Sequence, residues 1–240
     1  FPNTACFVQQ RLGAKRAACF SIEAACSGFV YGLDVAQAML RAGPYRRALV
    51  IGAEKLSSIV NWQDRNTCVL FGDGAGAAIL GRCEPEENSF ICSSLGADGT
   101  YTDILHVPAG GSCMPINAAA LEQGLQYLKM SGAEVFKLAV NSMAAAAVKV
   151  LEEARMSIED IRWLIPHQAN TRIIEAVARK LGLPDNRAFI NLQKYGNTSA
   201  ATIPIALDEL VRAGQVNRGD PLLLVAFGGG LTWGASLWRW

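Results

Sequence analysis

The sequence predicts an α/β fold built from two similar halves. Apolar runs typical of buried strands alternate with segments of helical spacing along the chain. An internal repeat is the second observation. CSGFVYGLDVAQAMLRAG, ALVIGAE and FGDGAGAAIL run parallel to NTSAATIPIALDELVRAG, LLLVAFGGG and LTWGASLW. In each copy a loop opens a helix that ends in Arg-Ala-Gly, and two strands follow. Two such halves bring their loop-to-helix joints to one face, where ligands bind in α/β sheets.

The first helix is predicted from a cap at Thr4 to a stop at Gly13, as though the sequence opens partway through a fold. An apolar run at 18–25 predicts a buried strand, and a helix follows Cys26 and ends at Gly43-Pro44. Further strands are predicted at 48–54, 68–81, 162–166, 188–192, 221–230 and 231–240. Further helices are predicted at 131–156, 171–182 and 198–213, with an irregular Gly-rich loop at 82–125.

The long helix is predicted to begin at Ser131, because Glu134 three residues later completes a capping box. The predicted halves are residues 1–120, the remainder of an N-terminal unit, and residues 121–240.

Composition limits the classes of function. The 240 residues are 51% hydrophobic with a net charge of +1, so we expect a sizeable core and neither nucleic acid nor a membrane surface as partner. No apolar run approaches the roughly 18 residues of a membrane span. The seven cysteines are scattered without a C-x-x-C pair, which predicts neither a disulfide framework nor a metal site. This cysteine usage fits a reducing cytoplasm.

Cys26 differs from the other six cysteines, which we interpret as small buried residues. It lies in the joint between a predicted strand and a helix, where free backbone N–H groups and the helix dipole favour thiolate. We therefore expect its pKa to fall from about 8.5 towards roughly 3.5–7.5. A thiolate there is suited to acyl transfer, and helix-end amides also hold an oxyanion. The competing interpretation is a small core residue.

His167 and Asn197 lie at two further strand-to-helix joints, in IPHQAN and YGNTSA. Alone, His167 fits a capping or packing role, and Asn197 fits an N-cap. Together with Cys26 they form a Cys-His-Asn set at three joints, an arrangement suited to nucleophilic catalysis.

The motifs EAACSGFVYGL, FGDGAGAAIL, PHQAN, YGNTSA and AFGGGLTWGA resemble the signature segments of β-ketoacyl-acyl carrier protein synthase III, a condensing enzyme of the thiolase superfamily. The resemblance runs in family order from end to end and is weakest at 82–125. It implies a thiolase-like fold with layers in the order α-β-α-β-α. The family has a further N-terminal portion that this sequence does not contain, so the first half is incomplete.

The resemblance implies that Cys26 attacks an acyl-coenzyme A thioester and that His167 and Asn197 donate hydrogen bonds to the enolate of decarboxylating malonyl-acyl carrier protein. The backbone amides of Cys26 and Gly230 would form the oxyanion hole of the first step. The family uses no metal or redox cofactor. It also implies a cytoplasmic homodimer whose partner is acyl carrier protein.

Four binding residues follow from the same resemblance. Arg65 matches a position that contacts the nucleotide end of coenzyme A, and Asn170 one near its pantetheine arm. Arg172 is similar to a basic position that docks the carrier protein. Phe1 resembles a phenylalanine that lines the partner subunit's acyl pocket. Either arginine fits an ordinary surface charge equally well without the resemblance.

Alternatives remain at this point. Elongating condensing enzymes use Cys-His-His and thiolases a second cysteine, whereas the other histidine here, His106, lies in the irregular loop. A dinucleotide site at FGDGAGAAIL would need a helix after the glycines, where a strand is predicted instead.

The predicted activity is initiation of fatty acid synthesis from an acyl-coenzyme A, with acetyl expected. A starter enzyme of polyketide or quinolone synthesis, or a non-catalytic partner subunit, is the alternative.

Overall fold

The computed structural model of the chain describes residues 1–83, 89–184 and 186–240. Its helices are α1 Thr4–Arg11, α2 Gly28–Ala42, α3 Ala118–Glu122, α4 Gly132–Ala154, α5 Thr171–Leu181, α6 Leu192–Tyr195 and α7 Thr202–Arg212. Its strands are β1 Arg47–Lys55, β2 Asp73–Gly81, β3 Phe90–Ala97, β4 Leu105–His106, β5 Lys129–Met130, β6 Trp163–Pro166, β7 Pro221–Gly228 and β8 Thr232–Arg239.

A four-stranded sheet in the order β3-β8-β7-β6 organises the C-terminal part. β6 and β7 run parallel, whereas β8 is antiparallel to both of its neighbours. β7 is buried along almost its whole length, as expected for a strand covered on both faces. On one face it packs against α4 and α5 through residues such as Val150, Ile173 and Leu223.

The other face of this sheet packs against α2 and α7 through a second core that includes Phe29, Ile203 and Leu224. Beyond these helices lies the antiparallel hairpin β1–β2. Residues of both strands alternate between the helix side and the outer side, so Leu49 and Ile79 are exposed. The described residues thus form four successive layers, α-β-α-β, of the predicted order.

The predicted repeat is present in three dimensions. A 3₁₀ turn at Ala25–Ser27 opens α2, and another at Ser199–Ala201 opens α7; each helix is followed by an antiparallel strand pair. Ala25 and Ser199 both have left-handed backbones, with φ of 46° and 50°. Matching these two residues pairs Cys26 with Ala200, so Asn197 lies at the same joint but three residues earlier than the position equivalent to Cys26.

Several local predictions were wrong. Residues 18–24 are not a strand and are mostly exposed, because no described segment pairs with them. The run 188–192 forms a single bridge, Leu164 with Ala188, before α6 begins. α1 is capped by Asn3 rather than Thr4, and Ser131 makes no side-chain cap of α4. Cys83 and Cys113 are exposed rather than buried.

The predicted loop at 82–125 contains strand β3, which the sequence prediction missed; residues 84–88 of that loop lie outside the described part of the chain. Because β3 pairs with β8, it belongs to the sheet of the C-terminal half although it precedes residue 120. We therefore propose that the two halves divide between β2 and β3 rather than at 120.

Gly52 sets how closely β1 approaches the second 3₁₀ turn. A Cβ added there would lie 2.5 Å from the carbonyl oxygen of Ala200 and 2.9 Å from the Cα of Ala201. Both contacts are with backbone, which cannot rotate away.

We expect Gly52→Ala to lower the free energy of unfolding by about 1–3 kcal/mol, because it overpacks this interface. Gly81→Ala is the matched control, since a Cβ on this β2 glycine meets nothing within 4 Å. Urea denaturation of both variants measures the difference, and equal stability of the two would contradict the proposed packing constraint.

Candidate active site

A cavity of about 520 Å³ brings the three predicted side chains together. Cys26, His167 and Asn197 all line it, although 171 positions separate the first from the last. The remaining wall is largely apolar and includes Phe71, Leu105, Phe136, Ala139, Met143 and Phe227. A second cavity, of about 590 Å³, lies against α2 and β8 and contains none of the three.

Cys26 is held in the 3₁₀ turn that precedes α2. Thr232 fastens this turn to β8: its hydroxyl donates to the Ala24 carbonyl at 2.8 Å, and its own carbonyl accepts from the Ser27 hydroxyl at 3.1 Å. The end of β7 also approaches closely, because a Cβ on Gly228 would lie 2.7 Å from the Cys26 nitrogen. Only glycine fits at this position.

The Cys26 thiol does not have the lowered pKa that the sequence predicted. Burial is the largest influence and raises the pKa of Cys26 to about 11, with a smaller raising effect from the nearby Glu54 and Glu23 carboxylates. A hydrogen bond from Ser199 and the backbone amide of Cys26 itself act in the lowering direction and are outweighed. The cysteine is therefore a neutral thiol at pH 7.

His167 directly follows β6, and its backbone N–H donates to the Val225 carbonyl of β7 at 2.7 Å. Its side chain is 2% exposed, and this burial lowers the pKa of His167 to about 4, so the ring is neutral at pH 7. Its Nδ1 lies 2.7 Å from the Thr202 hydroxyl. Nε2 is then the ring nitrogen left for a ligand in the cavity.

The Thr202 hydroxyl fits either tautomer of His167. It lies 2.8 Å from the Ser199 carbonyl and 2.7 Å from Nδ1, and it has one proton to donate. When it donates to Ser199, Nδ1 carries the ring proton and Nε2 is an acceptor. When it donates to Nδ1, Nε2–H is a donor.

Asn197 is fixed by backbone and side chain together. Its N–H donates to the Leu70 carbonyl at 2.8 Å, and its carbonyl accepts from Gly72 N–H at 2.9 Å. Its side-chain Oδ1 accepts from Ser199 N–H at 2.9 Å. The amide oxygen is thereby occupied, which assigns the NH₂ group as the donor that remains for a ligand.

Only two of the four predicted binding residues line the cavity. Asn170 and Arg172 line the cavity, and the Asn170 side chain also caps α5 by accepting from Arg172 N–H at 2.8 Å. Arg65 is exposed in the segment between β1 and β2, outside the cavity lining, and Phe1 is fully exposed. Gly230 lies in the exposed turn between β7 and β8, and Gly228 is the glycine that faces the Cys26 backbone.

Sequence reasoning missed three polar residues beside the site: Ser199, Thr202 and Glu54. Ser199 and Thr202 follow Asn197 in NTSAAT, and Glu54 ends the apolar run ALVIGAE. The sequence did contain a signal for them. A polar side chain at a buried strand-to-helix joint needs a hydrogen-bond partner, so it is expected to lie close to other polar groups.

Among the residues that the structure describes, no group of three or more His, Cys, Asp or Glu side chains is arranged to hold a metal ion. Within the same ranges, no helix has both the length and the apolar character that crossing a membrane requires.

Comparison with known proteins gives a consistent result. The sequence profile of 3-oxoacyl-[acyl-carrier-protein (ACP)] synthase III matches residues 20–99, and the profile of its C-terminal part matches 151–240. The chain is 56% identical over 240 residues to the beta-ketoacyl-[acyl-carrier-protein] synthase III of Caldanaerobacter subterraneus, covering all of this chain and 72% of that protein.

Solved structures agree. The 3-oxoacyl-[acyl-carrier-protein] synthase III of Aquifex aeolicus superposes with a TM-score of 0.91 at 49% identity, covering all of this chain and 73% of that one. The priming beta-ketosynthase of the R1128 polyketide pathway superposes with a TM-score of 0.90 at 34% identity, covering all of this chain and 70% of that one.

Fold and family together define the class: this is an acyltransferase of the condensing-enzyme type with a thiolase-like α/β fold. Within that class the chain belongs to the β-ketoacyl-[acyl-carrier-protein] synthase III family.

The raised pKa of Cys26 gives a direct test. Alkylation of Cys26 by iodoacetamide should still accelerate between pH 9 and 10.5, because only the thiolate reacts and the pKa is about 11. Cysteine in a short blocked peptide, with a pKa of about 8.5, should level off over the same range. Peptide mass spectrometry follows Cys26 alone, and a plateau for Cys26 below pH 9 would contradict the assigned desolvation.

Proposed function

We propose that the chain catalyses the decarboxylative Claisen condensation of an acyl-coenzyme A, with acetyl-coenzyme A as the expected donor, with malonyl-acyl carrier protein. The reaction would initiate fatty acid synthesis. The convergence of Cys26, His167 and Asn197 on one largely apolar cavity is the observation that carries the proposal.

In the first step the Cys26 sulfur attacks the thioester carbonyl of the acyl-coenzyme A. The carbon–sulfur bond to coenzyme A breaks, an acyl-Cys26 thioester forms, and coenzyme A leaves as a thiol with the proton that Cys26 gave up. The developing oxyanion would accept hydrogen bonds from the Cys26 and Gly230 amides. The tight approach of Gly228 keeps the Cys26 amide in place.

In the second step malonyl-acyl carrier protein loses carbon dioxide. The electrons of the broken carbon–carbon bond become an enolate. Its oxygen would accept from the NH₂ group of Asn197 and from Nε2–H of His167, in the tautomer in which the Thr202 hydroxyl donates to Nδ1. A neutral imidazole suits this role, and burial keeps His167 neutral. The enolate carbon then attacks the acyl group, and Cys26 leaves as thiolate and takes up a proton.

Substrate binding is proposed by family analogy. Arg172 and Asn170 line the cavity, which suits contact with the carrier protein and the pantetheine arm respectively. Arg65 would meet the coenzyme A phosphates from its exposed segment. Phe1, fully exposed, would reach the acyl pocket of a second copy in a homodimer. The proposed scheme uses no metal or redox cofactor and takes place in the cytoplasm.

A condensing enzyme that primes polyketide synthesis with another acyl donor is the second candidate. It is favoured by the superposition on the R1128 priming beta-ketosynthase. Turnover with acyl-coenzyme A donors of two to eight carbons separates the two functions: preference for acetyl supports the first.

Replacing Cys26 by alanine should abolish labelling by radioactive acetyl-coenzyme A, because no other side chain in the cavity lining is a comparable nucleophile. Cys92→Ala, which changes a buried cysteine elsewhere, should retain labelling. Persistent labelling of the Cys26 variant would refute the assigned nucleophile.

His167→Ala and Asn197→Ala should each slow decarboxylation of malonyl-acyl carrier protein by about 10²–10³, the usual effect of removing one preorganised donor. Acylation of Cys26 should fall less. Asn141→Ala, on the exposed side of α4, is the matched control. Equal loss of both half-reactions would count against this division of roles.

Decarboxylation should also be nearly independent of pH between 8 and 5. The lowered pKa of about 4 keeps His167 neutral across that range, whereas a histidine with an ordinary pKa near 6.5 would become protonated. The decarboxylation rate measured against pH decides between them, and a midpoint near 6.5 would show that His167 is not desolvated as described.

A further inference from the structure

The sulfur atoms of Cys6 and Cys19 lie in contact, 3.5 Å apart, although 13 positions separate the two residues. All seven cysteines fall in the described ranges, and within those ranges no other two sulfurs are in hydrogen-bond contact. Both side chains are half-buried, so a small reagent in solution can reach them. No motif marks this pair in the sequence, because a spacing of 13 is not a pattern by which paired cysteines are recognised.

The contact joins two parts of one segment. Cys6 lies on α1, which buries none of its residues, and Cys19 lies in the mostly exposed run that leads to the turn of Cys26. In the described part of the chain, every hydrogen bond of residues 1–22 is made within that segment, and apart from the sulfur contact they are all local. The sulfur contact is therefore the one that connects the helix to the run before Cys26.

The geometry around the pair suits a disulfide that forms and breaks. The sulfurs of a disulfide lie about 2.05 Å apart, so these two atoms would have to approach by about 1.5 Å. The backbone of Cys19 belongs to no helix or strand, so it can shift without breaking a hydrogen-bonded ladder. Rotation of the two side chains supplies the rest of the movement.

We propose that Cys6 and Cys19 form a dithiol site that a small disulfide of the glutathione type oxidises to a protein disulfide. The thiolate of one cysteine attacks the small disulfide, whose sulfur–sulfur bond breaks and releases one thiol, leaving a mixed disulfide on the protein. The thiolate of the other cysteine attacks that protein sulfur, the mixed bond breaks, and the second small thiol leaves. The two cysteines thus lose two electrons and two protons, and the small disulfide becomes two thiols.

Contact between the two sulfurs decides how far this exchange proceeds. After the first step the second protein thiol already lies beside the mixed disulfide, whereas another small thiol must arrive by diffusion. Cys83 and Cys113 are exposed, and neither has a sulfur in contact within the described ranges, so exchange at these residues stops at the mixed disulfide. In a reducing compartment the Cys6–Cys19 bond would be transient, as cytosolic disulfides usually are.

The test equilibrates the full chain with mixtures of reduced and oxidised glutathione, blocks the free thiols, and identifies linked peptides by mass spectrometry without reduction. Trypsin alone leaves Cys19 and Cys26 in one peptide, so a protease that cleaves after glutamate is added to cut at Glu23. The expected product is FPNTACFVQQR joined to AACFSIE, which are residues 1–11 and 17–23.

Cys83 and Cys113 are internal controls and should carry glutathione in the same sample. Cys6→Ser and Cys19→Ser should each remove the linked product, whereas Cys83→Ser, which changes an exposed cysteine, should leave its amount unchanged. Separate glutathione adducts on Cys6 and Cys19 would overturn the proposal. So would a pair that stays free while Cys83 and Cys113 react.

The same exchange in concentrated urea separates the effect of the fold from that of sequence spacing. The linked fraction should fall by about fivefold or more in the unfolded chain, because the contact between the sulfurs is lost. An equal linked fraction with and without urea would show that the folded structure does not build this site, and would also overturn the proposal.

Discussion

The arrangement of the site depends on one residue held in a left-handed conformation. Ser199 has φ of 50°, a backbone that costs a non-glycine residue about 1–3 kcal/mol. In that conformation its N–H orients the Asn197 amide, and its carbonyl lies 2.8 Å from the Thr202 hydroxyl that contacts His167. One strained residue therefore bears on the side chains of both Asn197 and His167.

Desolvation decides the charge state of this site. An oriented helix end contributes at most about 2 kcal/mol to a neighbouring charge, whereas burying an ionised group costs several. That balance explains why Cys26 is a thiol and His167 a neutral imidazole, with pKa values near 11 and 4. Both side chains are therefore uncharged at pH 7.

The sequence was sufficient for the features that depend on local pattern. Periodicity located α2, α5 and α7, and the motifs located Cys26, His167 and Asn197 at their joints. Sequence analysis failed for features that depend on pairing between segments far apart in the chain. β3 was missed because its partner β8 lies more than 130 residues away, and the run at 18–25 was taken for a strand although no described segment pairs with it. The predicted pKa of Cys26 was wrong for a related reason, because the burial of this side chain depends on residues from distant parts of the chain.

The internal repeat explains why the two halves contribute different residues to the Cys-His-Asn set. Both halves use the same device, a left-handed residue followed by a 3₁₀ turn and a helix. In the first half the residue after the left-handed one is Cys26. In the second half it is Ala200, whose N–H donates to the Glu54 carboxylate. The two joints pack against each other, since a Cβ on Gly28 would lie 3.6 Å from the Cβ of Ala200, so a small residue fits at this second position. The polar groups of the second half, Asn197, Ser199 and Thr202, lie on either side of Ala200. Cys26 thus lies at the first copy of the joint, and Asn197, Ser199 and Thr202 lie at the second copy, which carries a different set of side chains.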